Sequence, residues 1–475
     1  MKRTKIVATI GPACDSQAVL TKMIKAGVNV ARFNFSHGTY ASNKKAVSSL
    51  RAVAKSLNQS VGIIQDLQGP RIRVGEIAKD GLDLKKGEIV VLVEDDLKKK
   101  IKSDKKIVPI QFIKPSQILK AKNKVLLLDG LIELRVTKVN ANHVEAKVFK
   151  GGIIYTYKGV NIPEIDLGLP VITDKDIKDL EFGLKLGVDY VALSFVGSAG
   201  DLKDLKKLIK KFDKNSEVQV LAKIERGQAV KNIKSIIKEA DAIMVARGDL
   251  GIELPEVKVP IIQKEMIKMC LEQGKPVIVA TQMLDSMIRN PKPTRAEVSD
   301  VANAVIDHAD SVMLSGETAF GKYPVESVKM MNQIILETEK SIYDDMPPGY
   351  FLEKKLSVTK AISESVFELV KDTKARAIVA ATNSGYTARM IARYRPETRI
   401  IVLVNKQEIA HQLSLVWGIY PEMMPVCKSL DELVEKSVAL VKKQKLVIKG
   451  HQIIIVTGQP VGLSKNMNLV KIHTV

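Results

Sequence analysis

Six short stretches end an apolar run in groups able to do chemistry. They are Arg32-Phe33-Asn34, Asp66, Lys223-Ile224-Glu225, Arg247-Gly248-Asp249, Thr281-Gln282 and Ser315-Gly316-Glu317. Glu225 and Asp249 offer hard carboxylate oxygens, suited to one divalent cation with positions left open for a substrate. Lys223 stands two residues before Glu225, so on a strand both side chains leave the same face. Lys223 and Arg32 add the positive charge that an anionic substrate needs. On one strand alone, a polar end meeting solvent explains as much. On most strands together, the pattern points to one shared bowl. Arg247-Gly248-Asp249 is also the cell-adhesion tripeptide. Against that reading, Cys14, Cys270 and Cys427 are far apart with no CxxC pair, which suits a reducing cytosol where such a tripeptide has no receptor.

The elements that must position these groups repeat along the chain. Runs rich in Val, Ile and Ala begin at Thr4, Val28, Val61, Val188, Val218, Ala242, Pro276 and Ser311. Such near-continuous apolar strands are buried on both faces, as in parallel sheets. Between them, TDKDIKDLEFGLKLG and VSDVANAVIDHA carry helical spacing with Thr, Asp or Ser at the start. The repeat predicts a (β/α)8 barrel, whose active site lies at the carboxyl ends of the strands. Residues 1–70 and 171–340 form it. Residues 71–170 interrupt it with period-two segments such as GEIVVLVED and HVEAKVFKGGIIYTYKG, read as a small β domain placed to act as a lid. Residues 341–475, with ARAIVAATNSG, RIIVLVN and QIIIVTG, read as a second, open α/β domain.

The 475 residues, 45% apolar and 27% charged, have an ordinary globular composition. No apolar run approaches the roughly 18 residues of a membrane span. The opening MKRTKIVATIGPACDSQ reads as a first strand, because its apolar run is cut short by Gly11-Pro12. The net charge of +21 raises nucleic acid as a partner. The densest basic tract, LKKKIKSDKK from Leu97, contains no aromatic residue, and base-stacking platforms need aromatics. The lysines are read as solvated surface with a weak attraction for anions, and no specific nucleic acid is expected.

Over nearly its whole length the chain resembles the pyruvate kinase family. The matching stretches are TKIVATIGPA, GVNVARFNFSHG, DLQGPRIRVG, KGVNIP, LAKIERGQAV, ARGDLGIELP, VIVATQMLDSMIRNPKPTRAEVSDVANAV and MLSGETAFGKYPVESV. The resemblance implies a barrel with an inserted β lid and a C-terminal regulatory domain. It implies phosphoryl transfer from phosphoenolpyruvate to ADP in the cytoplasm, by a homotetramer. Glu225 and Asp249 would hold Mg²⁺ or Mn²⁺. Arg32 would contact the phosphate, and Lys223 would stabilise the moving phosphoryl group. The N–H groups of Gly248 and Asp249 would hold the substrate carboxylate. Thr281 would stand near the enolate carbon, with Ser315 and Glu317 ordering a relay through water. Asn34, Phe35, Ser36, His37, Arg73 and Lys158 would meet ADP.

In potassium-dependent members, Asn34, Ser36, Asp66 and position 67 match the residues that hold the monovalent cation. Those members usually carry Thr, Lys and Glu where this chain has Leu67, Gln68 and Arg71. Arg71, beside Asp66, is expected to supply that charge internally, so potassium is not required and its position is vestigial. In the C-terminal region, Thr382, Asn383, Ser384, Gly385 and Thr387 resemble the family's effector loop. The tail GQPVGLSKNMN departs from the family's Gly/Thr-rich form, which leaves the ligand's identity open, a sugar monophosphate or AMP being expected ahead of a bisphosphate.

Other departures are Arg226 for Asn, Phe320 for Lys and Gly197 for Arg. Gly316–Tyr323 nearly matches a phosphate-binding P-loop but lacks its Ser or Thr. Two rival functions remain at this stage: a pyruvate lyase or aldolase using the same carboxylates, which has no need of Arg73 and Lys158, and a basic nucleic-acid binder that has lost catalysis.

Overall fold

The computed structural model describes residues 2–163, 165, 168–347, 350–351, 357–458 and 467–475. The parallel strands β1 (Lys5–Thr9), β2 (Val30–Asn34), β3 (Gly62–Asp66), β4 (Tyr190–Leu193), β5 (Gln219–Ile224), β6 (Ala242–Ala246), β7 (Val277–Ala280) and β8 (Ser311–Leu314) close into a barrel in chain order. One set of alternating side chains, including Val30, Ile64, Leu221, Met244 and Ile278, fills the barrel. The other set packs outward against the surrounding helices. Burial on both faces is why these strands read as unbroken apolar runs.

The insert has its own core and a six-stranded sheet running from Ile89 to Asn161. One buried carboxylate joins the two points where the chain leaves and re-enters the barrel. Asp176 Oδ1 accepts the Gly69 N–H at 3.2 Å on the way out. On the way back, its Oδ2 accepts the Thr173 N–H at 2.9 Å and the Thr173 hydroxyl at 2.6 Å, a capping box opening the helix Asp174–Leu186. Gly69 has φ 67, and a Cβ there would lie 2.9 Å from the Phe195 ring and 3.2 Å from Ser194. Only glycine fits that exit.

The C-terminal sheet runs β11-β10-β9-β12-β13, with β9 (Ala377–Ala381), β10 (Arg399–Val404), β11 (Ile419–Met423), β12 (Gln452–Thr457) and β13 (Leu469–Thr474). Only β13 is antiparallel. The sequence showed β9, β10 and β12. It did not show the two edge strands, IYPEM and LVKIHT, which are largely half-exposed and interrupted by polar residues. This domain closes the floor of the barrel. Leu415 joins the barrel's inner core, its carbonyl accepts the Ser311 hydroxyl at 2.9 Å, and the Gln412 carbonyl accepts the Tyr190 hydroxyl at 2.9 Å. Among the described residues no helix is long and apolar enough to cross a membrane.

Candidate active site

The carboxyl ends of β2, β3, β4 and β5 deliver one connected charge network. Lys223 Nζ lies 2.8 Å from Glu225 Oε1, 3.2 Å from Asp66 Oδ1 and 2.7 Å from the Ser194 hydroxyl. Arg32 donates from Nε to Asp66 Oδ2 at 2.6 Å and from an Nη to the Thr9 hydroxyl at 3.0 Å. All of these groups are buried. Burial works against the Lys223 ammonium, but Asp66 and Glu225 outweigh it and raise its pKa. Burial likewise opposes charge on Asp66, while Lys223 and then Arg32 hold its carboxyl below the usual range.

Glu225 Oε2 accepts the Phe195 N–H at 2.7 Å. Asp249, in the first turn after β6, is pushed up to about 6, first by burial and then by the neighbouring Glu225 charge. Two carboxylates that disfavour each other's charge are a fitting seat for a divalent cation. Among the described residues no cluster of three or more His, Cys, Asp or Glu is poised for a metal.

The remaining expected residues divide. The Gly248 N–H, expected to face a substrate carboxylate, donates here to Thr281 Oγ1 at 2.8 Å. Thr281 follows β7 with φ 72. Ser315 Oγ, after β8, is buried and has no hydrogen-bond partner among the described residues. Both Glu317 oxygens are taken by backbone, the N–H groups of Leu284 at 3.0 Å and Ser315 at 2.7 Å. Asn34 Oδ1 accepts the Ser36 N–H at 3.1 Å, and the Leu67 carbonyl accepts the Ser194 hydroxyl at 2.8 Å. The His37 pKa is lowered by burial and then by the charges of Arg71, Arg73 and Arg32. Arg73 pairs with Gly159 across the insert, one residue from Lys158, and donates to the Tyr157 carbonyl at 2.9 Å.

Among the described residues Arg71 makes no ion pair with Asp66, whose charge Arg32 and Lys223 already balance. It lines the cleft between insert and barrel together with Glu225, Arg226 and Asp249. The Arg226 guanidinium reaches the Ile165 carbonyl at 3.4 Å. Thr382, Asn383, Ser384, Gly385 and Thr387 lie apart from this mouth, after β9. There Gly385 takes φ 73, Thr387 is buried and Arg389 donates to the Ser384 carbonyl at 3.3 Å. Of the tail GQPVGLSKNMN, residues 459–466 lie outside the described residues.

Sequence reasoning missed Ser194 and Thr9, which link the charged groups. Their only signal was a hydroxyl at the end of β4 and of β1.

Cations held ready by buried carboxylates, beside an acidic pair fit for a metal, are what a barrel phosphotransferase needs to move a phosphoryl group between anions. Comparison with known proteins narrows the class. The pyruvate kinase barrel-domain model matches residues 1–328, and the pyruvate kinase alpha/beta-domain model matches residues 360–473. Pyruvate kinases of Sporosarcina psychrophila and Geobacillus stearothermophilus are each 42% identical over all of this chain, which spans 81% and 80% of their lengths. A crystal structure of a pyruvate kinase from Cryptosporidium parvum matches with a TM-score of 0.91 at 34% identity, covering 100% of this chain and 96% of that one. The chain belongs to the pyruvate kinase family. It is a phosphotransferase that uses a divalent metal to carry phosphoryl from phosphoenolpyruvate to ADP, the last step of glycolysis.

Proposed function

We propose that the charge network on β2 to β5 is the phosphoryl-transfer machinery of this enzyme, the Lys223–Glu225–Asp66 contacts being the observation that carries the reading. Glu225 and Asp249 hold Mg²⁺, which when bound supplies a Lewis acid for the phosphoryl and substrate oxygens. Lys223 and Arg32 stabilise charge on the transferring group. Gly248 and Asp249 orient the substrate carboxylate, the Gly248 N–H exchanging its Thr281 partner for it. Thr281 stands at the enolate carbon. Ser315, its hydroxyl without a partner among the described residues, serves a water relay that the Glu317 carboxylate holds in shape. Asn34, Phe35, Ser36, His37, Arg73 and Lys158 receive ADP as the insert, residues 71–170, closes over the barrel of residues 1–70 and 171–340. The test is pyruvate formation from phosphoenolpyruvate and ADP with and without Mg²⁺. No pyruvate from phosphoenolpyruvate and ADP, with or without Mg²⁺, would favour the lyase or aldolase that uses the same carboxylates instead.

Potassium is dispensable in this reading. Asp66 is balanced by two cations, position 67 is apolar, and Arg71 brings a permanent charge to the same cleft. Turnover in a buffer holding only a bulky ammonium salt is expected to match turnover with KCl, and Arg71→Glu is expected to create a potassium requirement. Activation of the parent enzyme by KCl of roughly ten-fold, about 1.4 kcal/mol, overturns the idea.

The enzyme is further read as a cytoplasmic homotetramer, its C-terminal domain (341–475) carrying a phosphate effector at Thr382–Thr387. A panel of sugar monophosphates and AMP is expected to shift the phosphoenolpyruvate saturation curve. A curve unmoved by every member leaves that loop a plain helix cap.

A further inference from the structure

Arg247 opens the Arg-Gly-Asp turn, yet its side chain faces away from the metal carboxylates. Its two terminal nitrogens meet the two oxygens of Asp300 at 2.7 Å each, a planar fork on the helix Arg295–Ile306. The same guanidinium donates to the Thr281 carbonyl at 2.8 Å and, through Nε, to the Ala280 carbonyl at 3.3 Å. Those two carbonyls end β7. Thr281 (φ 72) and Gln282 (φ 55) both follow in the left-handed region. For a β-branched residue that conformation is costly and persists only where its surroundings enforce it.

The enforcement comes from Arg247-Gly248. The side chain of Arg247 fixes the Thr281 carbonyl, while the N–H of Gly248 fixes the Thr281 hydroxyl oxygen. That hydroxyl donates in turn to the Ala280 carbonyl at 2.6 Å. The helix carrying Asp300 holds the far part of the same loop as well. Glu297, in its first turn, accepts the Ser286 N–H at 2.7 Å and the Ser286 hydroxyl at 2.5 Å.

We propose that Arg247, anchored by Asp300, is a positioning residue for the proton-transfer half of the reaction, acting by holding the strained Thr281 hydroxyl in place. The proposal rests on the reading of Thr281 as the residue at the enolate carbon. A lysine would not substitute, because one ammonium cannot fork onto a carboxylate and meet two carbonyls.

The test compares Arg247→Met, Arg247→Lys, Asp300→Asn, Thr281→Val and the double variant Arg247→Met/Thr281→Val. Two quantities are read: steady-state kcat and KM for phosphoenolpyruvate, and deuterium uptake into the pyruvate methyl group in D2O by NMR. In that exchange a methyl C–H bond breaks, the proton leaves to solvent, and a deuteron returns to the same carbon. Arg247→Met is expected to lower kcat and methyl exchange together by about 30-fold, with little change in KM. Arg247→Lys recovers only part of the loss. The double variant is expected to be no slower than Thr281→Val alone, because both changes remove one function. Should Arg247→Met fail to fold, Asp300→Asn carries the test with a smaller loss in the same direction. Undiminished methyl exchange in the Arg247 and Asp300 variants, or losses that multiply in the double variant, overturns the proposal. Normal exchange in Thr281→Val overturns instead the reading of Thr281 on which it rests.

Discussion

Lys223→Met is expected to lower kcat by about 10³-fold, about 4 kcal/mol, with a far smaller change in the KM for phosphoenolpyruvate. The ammonium sits between two buried carboxylates and a hydroxyl, at 2.8, 3.2 and 2.7 Å. Burial alone would lower its pKa, but Asp66 and Glu225 reverse the balance, so it keeps its proton. A lysine held charged is no general base. In the proposed role its value lies in charge that is already oriented when the phosphoryl group loosens, an interaction stronger in the transition state than with bound substrate. Steady-state kinetics at saturating ADP and metal check this. Near-normal kcat in the variant removes Lys223 from the chemistry.

Asp66→Ala is expected to destabilise the barrel by about 3–5 kcal/mol, the usual cost of leaving buried charge without its partner. Arg32 and Lys223 would then face each other across the vacated carboxylate. The sign of the pH dependence follows from the lowered Asp66 pKa. Its stabilisation is fully present above the unfolded carboxylate value, about 3.9, and is lost as pH falls through the lower folded value. Urea midpoints of parent and variant should therefore differ most near neutrality and converge at strongly acidic pH. A gap that stays constant down to pH 3 would mean that the loss is one of packing rather than charge.

Which parts of this molecule were legible in the sequence follows from how local each signal is. The eight barrel strands are buried on both faces, so each announces itself as a short apolar run without reference to any other. Lys223 and Glu225 share a face by simple alternation. The edge strands Ile419–Met423 and Leu469–Thr474 bury little and announced nothing. Asp176 stands in the first turn of a helix, and nothing local reveals that its Oδ1 reaches Gly69, 107 residues earlier. The Arg247–Asp300 fork, 53 residues apart, was hidden in the same way, so the tripeptide was read as a substrate cradle and a metal ligand with no role for Arg247. Arg71 was expected beside Asp66 because it is close in sequence. The turn at Gly69-Pro70 separates them, and Asp66 had already found its partners on neighbouring strands.

The carboxylate of Asp176 has a consequence for how the chain could have been assembled. Tying together two ends about 100 residues apart costs roughly 3 kcal/mol more, in chain statistics, than tying ends a few residues apart. An insert with its own core removes that penalty once it folds, since it presents its two ends side by side. Exit and return then meet at one fixed acceptor, and to the barrel the excursion resembles a tight turn. A change in the length of the insert that keeps its two ends together would accordingly leave the strands beneath it undisturbed. The insert's history need not be the barrel's own.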